Sequence, residues 1–281
     1  MELSAACAAY VRSRSRAAKL RGIPGAQDPL PSRSTSASDA DLAPGRSPHL
    51  DVGERAERIP KPGALRDPQM RARLLHTFLH HEVQAAELSA WAIHAFPETP
   101  VEFRAGLARI LGDEARHARG YARRLAALGH RYGDFAVRDW FWERVPTCAS
   151  ATAYTALMGI GFEAGNLEHA ERFEGALRAA GDDESAGLVA RVGREEVAHV
   201  HFAARWFVRL GGAAAPDGGP DYDAWRDELP PPITPALLQG RPLARDARRR
   251  AGLGPGFLER LEAAGAPGAT TRPSTSGGPE R

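Results

Sequence analysis

The chain predicts an all-α fold: a four-helix bundle of two antiparallel hairpins joined by one long crossover, with extra segments at both ends. Three observations carry this. Apolar residues recur at three-four spacing along four stretches of about 30 residues between Asp67 and Leu210. Helix-start and helix-stop residues punctuate those stretches. Within them two Glu-x-x-His motifs, Glu114-Ala-Arg-His117 and Glu196-Val-Ala-His199, each follow a lone glutamate, Glu82 by 32 residues and Glu163 by 33.

The first helix is expected from Asp67-Pro68, an N-cap followed by proline at the first helical position, to Phe96 before Pro97. The second is expected from Thr99-Pro100, with Glu102 completing a capping box, to Gly129. The third runs from about Ser150 to Gly181 and the fourth from about Asp183 to Gly211. Each is roughly 45 Å long at 1.5 Å per residue. Two or three residues within each pair make hairpins, and the roughly 20 residues from His130 to Ala149 allow one crossover along the bundle.

Outside this region the reading is sparser. Residues 1–66 open with a short Ala-rich helical piece and continue as a mostly irregular, disordered or surface-wrapping arm; Cys7 falls in this loosely ordered part. Residues 212–263 read as a loop and short helices capping the bundle, and 264–281 as a disordered tail. The 281 residues include 29 Gly and 22 Pro, concentrated at these two ends. A net charge of +2 implies neither nucleic acid nor an anionic membrane as partner. The two cysteines, Cys7 and Cys148, form no disulfide framework, no signal segment opens the chain and no apolar run of about 18 residues occurs, so a cytoplasmic protein without a membrane partner is expected.

The motif residues share register and height. Glu82, Glu114, Glu163 and Glu196 each interrupt an otherwise apolar seam. Glu82 and Glu114 lie 16 residues from the first hairpin turn, and Glu163 and Glu196 lie 16 or 17 from the second. A Glu and a His three apart share a helix face. Four carboxylates and two imidazoles should therefore meet in one mid-bundle layer, where burial without cations would be costly. Two ions about 3.5–4 Å apart remove that cost. The hard-to-borderline donors Glu82, Glu114, His117, Glu163, Glu196 and His199 suit two iron ions, or alternatively manganese or a mixed iron/manganese pair.

Asp113 and Glu195 sit four residues before the ligand histidines and are expected to accept the second N–H of a histidine across the bundle. Tyr121, one turn beyond His117, is either a core tyrosine or, being close enough to exchange an electron with the site, a redox partner. Glu87 competes with Glu82 but shares another face with His80, Gln84, Trp91 and His94. Glu168, Glu171, Glu174 and His169 are expected to be solvated. Gly159, Gly161 and Gly165 flank Glu163, either opening a route to it or permitting close packing.

At His81-Glu82, Leu111-Gly-Asp-Glu-Ala-Arg-His117, Tyr132-Gly-Asp134, Phe162-Glu-Ala-Gly-Asn-Leu167 and Arg194-Glu-Glu-Val-Ala-His-Val200 the chain resembles the ferritin-like superfamily of di-iron carboxylate proteins. More narrowly, it is similar to a bacterial ferritin-like family of unknown function near the tRNA-hydroxylase (MiaE-like) branch. The resemblance covers about Arg66 to Leu210. It implies that Glu82, Glu114 and His117 hold one hairpin's share of the metals and Glu163, Glu196 and His199 the other, with Glu114 and Glu196 bridging. It implies an O2-activating oxidase or hydroxylase with an unnamed substrate and, for an oxygenase, an electron donor. Iron storage or peroxide removal is the second reading, and a metal-stabilised interaction module the third. A tRNA partner would need a basic face, for which Arg245, Arg248, Arg249 and Arg250 are the one dense cluster. A homodimer is compatible with every one of these readings.

Overall fold

The computed structural model describes residues 3–25, 42–53 and 59–266. Among them the fold is all-helical, with isolated bridges Val52–Val137 and Ala214–Pro220 in place of strands. No helix among the described residues is long and apolar enough to cross a membrane. Parts of the segments read as an irregular arm and a disordered tail, residues 26–41, 54–58 and 267–281, lie outside the described residues.

Two short helices come first, α1 (Leu3–Arg12) and α2 (Arg16–Arg21), and both pack on the long helices that follow. This corrects the expectation of a loosely ordered segment: Cys7 and Val11 are fully buried. Burial pushes the Cys7 thiol up to about 12, so it stays protonated. The docking answers the sequence of α3 (Pro68–Ala95), whose second face carries His80, Gln84, Glu87 and His94. That face is buried, and Ser4 of α1 meets His94 at 2.7 Å.

Helix α3 starts as its Asp67-Pro68 cap requires, with the Asp67 carboxylate accepting from Gln69 N. Residues 96–100 turn the chain into α4 (Val101–Ala127). The capping box expected at Thr99 and Glu102 does not form. Pro100 occupies the N-cap, which puts Thr99 one residue too early, and its hydroxyl donates back to Phe96 O at 2.7 Å.

Residues 128–150 cross over, and Ser150 caps α5 (Ala151–Tyr154). The expected single regular third helix is instead three pieces: α5, a π-helical stretch over Thr155–Glu163, and α6 (Ala164–Ala179). Two contacts explain the wider winding. A Cβ on Gly159 would come within 2.1 Å of the Ala203 Cβ, so the stretch lies at glycine distance from the helix that carries Ala203. Trp225 Nε1 donates to Ala156 O at 2.9 Å, satisfying a carbonyl of the stretch from outside.

Asp182 caps α7 (Asp183–Arg209), which pairs with α6 as α3 pairs with α4. Helices α8 (Tyr222–Asp227), α9 (Arg245–Arg250) and α10 (Pro255–Ala264) follow, α9 packing on α6 and α7. The apolar core is in two pieces. One holds Ala85, Leu111, Leu167 and Val200, the other Val83, Ala118, Phe173 and Val192. The boundary between them crosses all four long helical segments at the level of the glutamate motifs.

Candidate metal centre

At that boundary the structure brings Glu82 from α3, Glu114 and His117 from α4, and Glu196 from α7 into one group. One ligand atom from each lies within 4.8 Å of the others. His199 joins them, its Nδ1 standing 2.9 Å from Glu114 and 3.0 Å from Glu196. Glu163 closes the π-helical stretch; it is buried, lines a small cavity with His199, and accepts from Asn166 Nδ2 at 3.3 Å, while the four-residue group itself does not include it. All six side chains are buried.

The outer nitrogens of both imidazoles turn to acids on the opposite helix. His117 Nε2 lies 2.7 Å from Glu195 Oε2, and His199 Nε2 lies 3.5 Å from Asp113 Oδ2. Arg116 then ties the two acids together, donating to Asp113 at 2.6 Å and to Glu195 at 2.7 Å. With Nε2–H committed outward, Nδ1 of each histidine faces the carboxylates, where it carries a proton without an ion and would offer its lone pair to one. His117 Nδ1 is 3.3–3.4 Å from Glu82, Glu114 and Glu196 at once, an approach to three carboxylates rather than a hydrogen bond to any one.

These donors fit a cation. Both oxygens of Glu114 and Nδ1 of His117 are buried with no hydrogen bond of normal geometry. No lysine or arginine side chain forms an ion pair with Glu82, Glu114, Glu163 or Glu196 among the described residues. Without an ion, protons must compensate. Burial first, then the Glu114 charge, raises Glu82 well above the usual carboxylate range; burial, then Glu196 and Glu114, raises Glu163. Burial opposes ionisation of Glu114 and Glu196 too, but His199 and His117 outweigh it and hold both low. The histidines are raised in turn against the pull of burial by the carboxylates around them. Ions entering the group would displace these protons.

Tyr121 is buried and lines a small cavity of about 30 Å³ together with Glu82 and Glu196. Burial, then the charges of Glu82, Glu196 and Glu114, keep its phenol protonated. Glu87 stays out of the group, held by Arg46 at 2.6 Å and Lys19 at 2.6 Å.

Glu168 corrects the expectation of a solvated side chain. It is buried and accepts from Arg248 Nε at 2.7 Å and Nη2 at 2.8 Å, because α9 covers that face of α6. Glu171 is exposed, while Glu174 and His169 are half-buried. The arginine cluster is mostly spent on acids: Arg248 on Glu168, Arg245 on Glu262 and Arg249 on Asp246. Asn166 received no role from sequence, although it stands three residues after Glu163, where His117 and His199 stand relative to Glu114 and Glu196.

A larger cavity of about 520 Å³ opens beside the group. It is walled by Ile59, α3, the crossover, the end of the π-helical stretch, the start of α6 and residues 237–240. His81, Asn166 and His169 line both this cavity and the small one at Glu82 and Glu196.

The chain belongs to the family described as protein of unknown function (DUF455), whose model matches residues 3–259. No curated protein and no solved structure matches it.

Proposed function

We propose that this chain is a ferritin-like four-helix protein whose central layer binds two iron ions and activates O2 against an organic substrate, as an oxidase or hydroxylase. The observation that carries the reading is the buried layer of four carboxylates and two imidazoles that the chain's own cations leave unbalanced. Manganese, or one ion of each, suits the same donors. A bound ferrous pair would supply two electrons and Lewis acidity for reducing O2, the remaining two coming from the organic substrate or an electron donor.

The chain's own residues then have separable tasks. Glu82, Glu114, Glu163 and Glu196 hold the ions by charge, and His117 and His199 add Nδ1 donors. Glu195 and Asp113 fix the tautomer and ring orientation of those histidines, and Arg116 fixes the two acids. Asn166 holds one oxygen of Glu163 in place. Tyr121, protonated and beside Glu82 and Glu196, is positioned to give up an electron and its proton together.

The 520 Å³ cavity favours an enzyme over storage or peroxide removal, which need no organic pocket. Anaerobic loading with ferrous iron followed by an O2 pulse tests the reading in a stopped-flow spectrometer. We expect a transient visible absorption at two irons per chain, altered in kinetics by Tyr121→Phe with metal content unchanged. Continued uptake of many irons per chain would replace this reading with storage.

A further inference from the structure

The large cavity has a composition that selects its ligand. Its aromatic wall is built from Trp140 and Phe141 of the crossover and Phe162 of the π-helical stretch. Phe141 stacks on Phe162 with centroids 4.9 Å apart, and Trp140 meets Phe162 edge-on at 4.9 Å. At the rim Leu237 is 60 % exposed, one of two large apolar side chains that are exposed among the described residues. A flat apolar body has rings to pack against and a rim that already lacks polarity.

Charge points the same way. Among the described residues Arg138 is the one lining side chain that is always ionised, and Glu143 takes it up at 2.7 and 2.6 Å. No aspartate, glutamate or lysine among the described residues lines the cavity. Both ring nitrogens of His80 are engaged, by Tyr132 at 2.6 Å and Asp139 at 3.0 Å. Gln239 spends its amide on Leu261 O at 2.6 Å and Thr77 its hydroxyl on Arg73 O at 3.0 Å. A charged ligand would leave water without a countercharge, at a cost that a neutral one avoids.

The inner end of the cavity is the wall of His81, Asn166 and His169 that it shares with the small cavity at Glu82 and Glu196. Asn166 touches Glu163 directly, so a molecule seated there ends one side chain away from the carboxylate group. We propose that the cavity is the substrate site and takes an uncharged aromatic molecule, presenting its inner end to the metal group across Asn166. This rests on the reading of that group as an O2-activating metal site.

Gly165 supplies the variant. A Cβ there meets nothing closer than Leu238 O at 3.7 Å, so a longer side chain fits the helix and projects into the cavity. Indole and indole-3-acetate serve as neutral and charged probes of one ring system, titrated calorimetrically into the full-length protein with iron measured on the same sample. We expect indole to bind once per chain and indole-3-acetate at least tenfold more weakly. Gly165→Leu should weaken indole at least tenfold with iron content unchanged. Leu237→Arg, at an exposed position that folding tolerates, should narrow the gap between the two probes. In cobalt-substituted protein, indole should shift the visible spectrum of the wild type and leave that of Gly165→Leu unmoved.

Equal affinity for the two probes, indole binding unaffected by Gly165→Leu, or a cobalt spectrum indifferent to indole would overturn the assignment. Two irons per chain with no indole binding would overturn the pocket alone. Indole binding to a chain that takes up no iron would overturn the metal reading and, with it, the pocket's role as a substrate site.

Discussion

Glu82 and Glu87 lie five residues apart on α3, and Glu163 and Glu168 lie five residues apart where the π-helical stretch passes into α6. All four are buried. The later member of each pair is fully answered by the chain itself. Glu87 receives Arg46, Lys19 and Trp142 Nε1, the last at 2.8 Å. Glu168 receives Arg248 and the backbone amides of Gly240 at 3.1 Å and Ala244 at 2.9 Å. The earlier member of each pair faces other carboxylates instead. Burial opposes ionisation in both settings, but Arg46 and Lys19 outweigh it and lower Glu87, whereas Glu114 adds to it and raises Glu82. The difference teaches what each position is for. A carboxylate matched by the chain's own cations fastens a terminal segment, Glu87 the N-terminal one and Glu168 the C-terminal one. A carboxylate left unmatched could hold a cation from outside.

Breaking the matched side should cost the most. Arg248→Ala strands the buried Glu168 charge and should lower stability by about 3–5 kcal/mol in urea denaturation. Metal content of the folded protein should persist, and the double change Glu168→Leu with Arg248→Met should recover most of the loss. Loss of metal in step with loss of stability would erase the distinction between the two kinds of glutamate.

Removing the outside cation should come next. Chelation should lower the melting temperature at neutral pH, because an ion present at 100 times its dissociation constant contributes about 2.7 kcal/mol to the folded state. Glu114→Ala and Glu196→Ala should abolish that increment, while the exposed Glu171→Ala should keep it. A smaller effect is expected from the acids behind the histidines. Glu195→Gln or Asp113→Asn should weaken metal binding roughly 10- to 100-fold in competition titrations, with the fold intact.

The smallest effect is an acid one on the matched side. Burial works against ionisation of Asp139, but His80 and Arg46 outweigh it and hold its carboxyl down at about 2. A depressed carboxyl contributes stability above its unfolded value of about 3.9, and that contribution fades as pH falls from there through about 2. Trp142 emission should therefore change between about pH 4 and 2 as the Arg46 segment loosens. Asp139→Asn should remove that step, and an unchanged step would assign it to another group.

Much of this comparison was legible in the sequence, and the reason is local. Asp67-Pro68, Ser150 and Asp182 cap their helices with neighbouring backbone amides, so short-range rules suffice. The glutamate motifs were visible because duplication and equal distance from the turns are one-dimensional facts. The capping box at Thr99 failed locally, because Pro100 takes the N-cap, but the rest of what escaped depends on distant partners. Glu168 looks like a surface residue until Arg248 arrives from 80 positions away. The π-helical winding needs Ala203 and Trp225, neither within 40 residues of Gly159. Cys7 looks loosely held until α1 is seen against the polar second face of α3.

The direct test is an anaerobic ferrous-iron titration of the full-length protein, read as iron retained per chain after desalting. The unmatched-carboxylate account predicts saturation at two, a fall toward zero in Glu114→Ala and Glu196→Ala, and two retained in Glu171→Ala. A chain that retains no iron, or one that loses it equally in all three variants, would contradict it.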